Sequence, residues 1–213
     1  MFSLLSLGGA VLLLPLVYLL IVRPWFLKWG ATTAERTRAL PGDDVVAANS
    51  SATRAITIYA PPDHVWPWIA QIGQGRGGFY SYTWLENLVG CRIVNARYVH
   101  PEWQRLNPGD GVRLHPNMPP IPVLISKTNR VLVLGGKGDP ALHIPPVTWG
   151  FYLEALPGCA TRLIVRQRAR ISKSLRDLIL NKYVLEPIHF IMERKMLLGI
   201  RKRAEEMIVD EVL

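Results

Sequence analysis

Apolar positions change their spacing along this chain, and each change predicts an element. Met1 to Val22 (MFSLLSLGGAVLLLPLVYLLIV) carries no charged side chain. Thr53 to Tyr59 then alternates around Ile56 and Ile58, the period of a strand with one buried face. In APPDHVWPWIAQIG, Val65, Trp66, Ile69 and Ile72 recur at helical spacing behind Pro61 and Pro62, and Pro67 predicts a short or broken helix. A second short helix fits Tyr82 to Leu88, with Ser81 as its N-cap. From there the pattern is β: Gly111 to Leu114 behind the turn NPGDG, Ile121 to Ser126 paired with Arg130 to Leu134, and Thr148 to Leu156 paired with Thr161 to Ile171 across PGCA. In the last strand Arg162, Arg166, Arg168 and Arg170 share one face, predicted to be wet, while Leu163, Val165, Gln167, Ala169 and Ile171 share the face predicted to pack. The end is helical: Ser174 to Leu185 is one run, and Pro187 either kinks it or opens a new helix to about Val209. Met192, Met196, Ile200, Ala204 and Met207 form the apolar stripe of that helix, opposite Arg194, Lys195, Arg201 and Lys202.

The uncharged front end changes this picture most. At 1.5 Å per residue Met1 to Val22 spans about 33 Å, close to the roughly 30 Å of bilayer hydrocarbon. A cleaved signal peptide would want a basic start and a small-x-small site, and neither is present. The expectation is a single-pass anchor at 1-22, a small and polar juxtamembrane linker at 23-52, and a folded domain at 53-209. Arg23, Lys28, Arg36 and Arg38 follow the span and nothing basic precedes it, so the positive-inside bias puts the C-terminal domain on the cytoplasmic side of the cell membrane. Two cysteines, Cys91 and Cys159, make no disulfide framework.

Net charge is +9. Residues 162 to 203 hold twelve Lys and Arg against three Asp and Glu, a surplus equal to that of the whole chain. On a tethered protein such a basic surface suits an anionic leaflet. The basic residues sit on a strand face and a terminal helix without a nucleic-acid-binding motif, so no nucleic-acid partner is expected. GQGRGG at Gly73 to Gly78 spaces its glycines like a dinucleotide fingerprint, but that fingerprint opens a helix and these glycines follow one. They are assigned to loop geometry, and no cofactor is expected.

The order strand, helices, antiparallel strands and long terminal helix makes an α+β plan. It resembles the helix-grip fold of the SRPBCC or START-like superfamily, which includes polyketide cyclase-like proteins. ITIYAPPDHVWPWIAQIGQGRGGFYSYTWLEN, PEWQRLNPGDGVRL and HFIMERKMLLGIRKRAE are similar to stretches of a membrane-anchored bacterial branch of it, over about Trp29 to Glu206. The resemblance implies a curved antiparallel sheet wrapped around a long C-terminal helix, with an apolar cavity between them for lipids, sterols, polyketides or hormones. Some members are cyclases or hydrolases, and many only bind. The branch usually carries an acid where this chain has Thr83, so no acid/base role is carried over to that position.

Candidate site residues follow. Trp66, Phe79, Tyr80, Tyr82 and Trp84 could wall the mouth of such a cavity, each against the plainer reading of core packing. Arg76 could bind a carboxylate or phosphate, or pair with a local acid such as Glu86. Met192 and Met196 belong to the stripe that would cover the cavity. His189 and Glu193, four apart on the same helix, are the candidates for an acid/base dyad, against a structural pair. His100, His115 and His143 lack ligand spacing, and no metal is expected. The functional expectation is binding of a hydrophobic small molecule or lipid without assigned chemistry. The alternative is a cyclase- or hydrolase-type enzyme using the same cavity.

Overall fold

The computed structural model describes residues 14–139 and 144–212, with side chains to 208. Most of the predicted anchor, and His143, therefore lie outside the described residues. The chain is helical from residue 14, through a π-helical turn at Tyr18–Val22, to α1 (Arg23–Leu27). No helix among the described residues is long and apolar enough to cross a membrane. There follow α2 (Thr33–Thr37), β1 (Ser50–Ile58), α3 (Pro62–Ala70) and α4 (Thr83–Leu88). Next come β2 (Gly111–Val112), β3 (Ile121–Lys127), β4 (Val131–Gly136), β5 (Val147–Leu156) and β6 (Ala160–Ala169). Last are α5 (Leu175–Leu180), a π-helical turn at Asn181–Leu185, and α6 (Glu186–Val212).

The six strands form one antiparallel sheet in the order β1-β6-β5-β4-β3-β2. This curved sheet and its long C-terminal helix make an α+β architecture consistent with a helix-grip domain. Pairing follows the predicted alternation: Val165 lies opposite Phe151 and Leu163 opposite Leu153, so their side chains share the inner face. Against that face lies the predicted stripe of α6. Met196, Ile200 and Ala204 are buried there with Leu197, while Arg194, Lys195, Arg201 and Lys202 are exposed. Each buried Met or Ile of this kind contributes about 1.5–3 kcal/mol. Gly199 lets α6 approach the loop before α4, because a Cβ there would meet the Tyr80 carbonyl oxygen at 2.5 Å. Pro187, which cannot donate a backbone hydrogen bond, stands at the start of α6, and the π turn lies just before it.

The outer face is not wet, which corrects the strand reading. Residues 31–46 fold across it, and their acids meet the arginines of β6. Arg162 makes an ion pair of 2.7 Å with Glu35, which this holds down at about 2. Arg166 is buried and donates to Asp43 at 2.5 Å and to the carbonyls of Glu35, Arg36 and Arg38. Tyr152 donates to the Pro41 carbonyl at 2.7 Å, beside a second apolar cluster of Ala55, Val133 and Ile164. The segment expected as linker thus carries α2, started by a capping box between Thr32 and Glu35, and a packed cover. It engages Arg162 and Arg166 of the basic face of β6, while Arg170 beyond the strand end stays exposed.

Ser81 does not cap α4. Tyr82 occupies the N-cap position, and the Ser81 hydroxyl donates to the Met192 carbonyl of α6 at 2.9 Å. The Gly73 to Gly78 loop closes on itself: each of these two residues donates its N–H to the carbonyl of the other at 3.0 Å. Gly73, Gly75 and Gly78 all have positive φ. Its glycines serve that turn and the packing beneath it, since a Cβ at Gly77 would meet the Tyr80 hydroxyl at 2.7 Å.

Candidate functional site

Between the inner face of the sheet and α6 lies a cavity of about 610 Å³. Leu134, Val147 and Trp149 wall it from the sheet, Met192 and Met196 from α6, and Phe79 from the glycine loop. The proline-rich segment around Met118 to Pro122 and the β4–β5 connection with Lys137 and Asp139 complete its rim. The lining is overwhelmingly apolar. The space exists because α6 crosses the sheet fully packed at Met196 to Ala204 and only partly packed at His189 and Met192.

One wall carries a buried charge cluster. Arg54 points inward from β1 and is 1% exposed; Glu193 reaches it from α6 and is 3% exposed. The Arg54 guanidinium pairs with the Glu193 carboxylate and donates through Nε to the Phe26 carbonyl at 2.8 Å. Trp149 Nε1 donates to the other Glu193 oxygen at 2.9 Å. Arg54 Nη1 also stands 3.3 Å from His189 Nδ1. Because a guanidinium can only donate, that imidazole nitrogen is the acceptor. Burial holds the His189 imidazole below the usual histidine range, with the Glu193 charge opposing and the Arg54 charge reinforcing the shift. His189 Nε2 and Glu193 Oε1 are 4.0 Å apart, too far for a hydrogen bond. The expected dyad is therefore brought to the cavity, with both Glu193 oxygens already engaged by Arg54 and Trp149.

A second acid lines the same cavity. Glu86 of α4 is buried, at 7% exposure, while Trp84, Leu88 and Val89 around it are 68%, 75% and 67% exposed. The helix is inside out. Asn87 fixes it in that attitude, accepting from the Ile93 N–H at 2.6 Å and donating to the Ile93 carbonyl at 3.0 Å. Glu86 Oε2 has no hydrogen-bond partner among the described residues. Burial pushes its carboxyl up to about 7.

The remaining expected residues divide cleanly. Phe79, Met192 and Met196 line the cavity. Trp66 and Tyr80 are core residues; Tyr80 accepts from Gln71 Nε2 at 2.9 Å and packs edge-on against Trp68. Tyr82 lies under the Lys195 ammonium on the surface side of α6, and Trp84 faces outward. Arg76 turns away from both the cavity and Glu86, donating to the carbonyls of Ala70 at 2.9 Å and Trp103 at 2.6 Å. Sequence reasoning missed Arg54 as the buried partner of Glu193, and Glu86 as a cavity-lining acid. An inward parity shared with Ile56 and Ile58 marked the first. Nothing in the periodicity of TWLENL marked the second.

The class defined by this geometry is an α+β domain whose sheet and C-terminal helix enclose an apolar cavity. No family model matches the sequence, and no curated protein matches it. Solved structures that resemble it include a Polyketide_cyc-like protein of Corynebacterium glutamicum, at 15% identity and TM-score 0.35, covering 76% of this chain and 93% of that one. The Aha1 dimer of Colwellia psychrerythraea is similar at 11% identity and TM-score 0.38, covering 70% and 98%. A protein of Mesorhizobium loti is similar at 14% identity and TM-score 0.42, covering 74% and 98%. These are distant likenesses, and the fold assignment rests on the strand order and terminal helix instead.

Proposed function

We propose that this chain is a membrane-tethered protein that binds a hydrophobic small molecule or lipid in the cavity beneath α6. The observation that carries the proposal is the cavity itself. Its volume of about 610 Å³ lies within the roughly 300–1,000 Å³ of small-molecule sites, and its few polar groups converge from different elements. An enzyme acting through His189 and Glu193 gains no support from the geometry, because Glu193 is fully engaged by Arg54 and Trp149.

The membrane part of the proposal is supported by the surface around the N-terminal helix. Leu14, Leu20, Ile21 and Trp25 are exposed, and so are Leu175, Ile179, Leu185 and Ile188. The two helical stretches carrying them lie side by side: Tyr18 stacks on Tyr183 at 5.1 Å, and Arg23 makes a bidentate pair with Glu186 at 2.7 and 2.9 Å. The apolar surface of the N-terminal helix from Leu14 onward thus continues onto the body of the protein, as a bilayer-facing patch would.

Mass spectrometry of lipids extracted with the detergent-solubilised full chain tests the binding proposal. Wild type is expected to carry an apolar ligand that Val147→Trp, which fills the cavity from β5, does not. Identical lipid content in the two proteins overturns it.

A further inference from the structure

We propose that Glu86 is the polar anchor of the cavity, hydrogen-bonding a neutral hydroxyl or carbonyl oxygen on an otherwise apolar ligand. This rests on the binding function proposed above and specifies its ligand class. The geometry is unusual for an acid on a short surface helix. Exposed apolar side chains and an inward carboxyl reverse the ordinary arrangement of α4, and Asn87 holds the reversal in place. Such breaches of local consistency concentrate where function requires them. A buried polar atom without a partner is costly, so a ligand oxygen that supplies the partner gains what the empty site lacks.

The charges around the site select a neutral partner. Arg54, the cation buried behind Glu193, is committed to that carboxylate. Lys137 and Asp139 stand two residues apart on the rim, and burial holds the His189 imidazole below the usual histidine range. Cys91 lies close enough that the Glu86 charge adds to the burial that raises its thiol pKa. With no cation bonded to Glu86, burial favours its carboxylic acid form below about pH 7. That form donates through O–H and accepts through C=O, which matches a hydroxyl or a carbonyl. A cationic amine would instead require two ions to be stripped of water in the same apolar space.

The test uses the full chain in detergent micelles and three photoreactive diazirine probes of equal chain length: a fatty alcohol, the corresponding hydrocarbon and the corresponding amine. Crosslinks are mapped to cavity peptides by mass spectrometry. The alcohol should label them about tenfold more efficiently than the hydrocarbon, one buried hydrogen bond's worth of affinity. That preference should grow as pH rises from about 6 to about 8.5, because the carboxylate formed on ionisation accepts the alcohol O–H in a stronger, charge-assisted bond. Glu86→Leu should abolish the preference, whereas Glu86→Gln, which keeps a donor, should retain it and lose its pH dependence. Should Glu86→Leu fail to fold, the flat pH profile of Glu86→Gln decides the matter. Equal labelling by alcohol and hydrocarbon in wild type overturns the role of Glu86 while leaving cavity binding intact. A preference for the amine that grows with pH also overturns it. Absence of cavity crosslinks from all three probes overturns the binding function itself.

Discussion

Two buried charged side chains, Glu86 and Arg54, set what the cavity wall costs and what it can offer. For Glu86 the sign is fixed by the direction of its shift. The folded carboxyl sits near 7, above its ordinary value of 4.5, so the unfolded chain ionises first as pH rises. Stability therefore falls between about pH 4.5 and 7 and is level above. Thermal or urea unfolding of Glu86→Gln should lack that slope and gain about 1–3 kcal/mol at pH 8 relative to wild type, with parity at pH 4. Arg54 poses the opposite problem. Arg54→Met leaves the Glu193 carboxylate buried with Trp149 alone, and should cost about 3–5 kcal/mol in urea unfolding. Pairing it with Glu193→Met should recover most of that loss. If the double variant is no more stable than the single one, the pair is not what holds this wall. Neither role could be read from residue type: an arginine in TRAITIY is legible only as inward by parity, and the partner it finds lies 139 positions away.

At the scale of elements, the strands and the last helix were the legible part. Their periods of two and 3.6 are properties of the local chain, and all six strands fall where alternation placed them, to within a few residues. The stripe Met196, Ile200, Ala204 faces the sheet as its spacing requires. What periodicity could not convey was the cover of residues 31–46, whose short polar text gains its order from distant arginines on β6. Nor could it convey α4, where the apolar residues point out and the acid points in. The stretch from α5 through the π turn makes a prediction of its own. Its side chains Ile179 and Leu185 are 51% and 50% exposed, and they continue the apolar surface of the N-terminal helix. In full chain reconstituted into liposomes, with Cys91 and Cys159 replaced by serine, a fluorophore on Ile179→Cys should be quenched by nitroxide lipids. One on Lys202→Cys, from the polar side of α6, should not. Equal quenching at the two positions refutes a bilayer-facing α5.

For the molecule as a whole, the sheet is packed on both faces, by α6 and the cavity within and by residues 31–46 without. The Gly73 to Gly78 loop and the basic tail helix were both legible as to place, and the enclosed volume was legible only as a consequence of the fold they belong to. The exact shape of that volume depends on residues from six separate elements and on Gly199, so no single stretch of text encodes it. One contact ties this architecture to the front of the chain. The Phe26 carbonyl that receives Arg54 Nε belongs to α1, the same helix whose phenylalanine ring stacks on Phe190. A fragment trimmed at Gly30 would thus keep the Arg54–Glu193 pair but lose the acceptor of Arg54 Nε and the ring packed on Phe190. Cleavage after α1 should therefore loosen the pocket rather than release it intact.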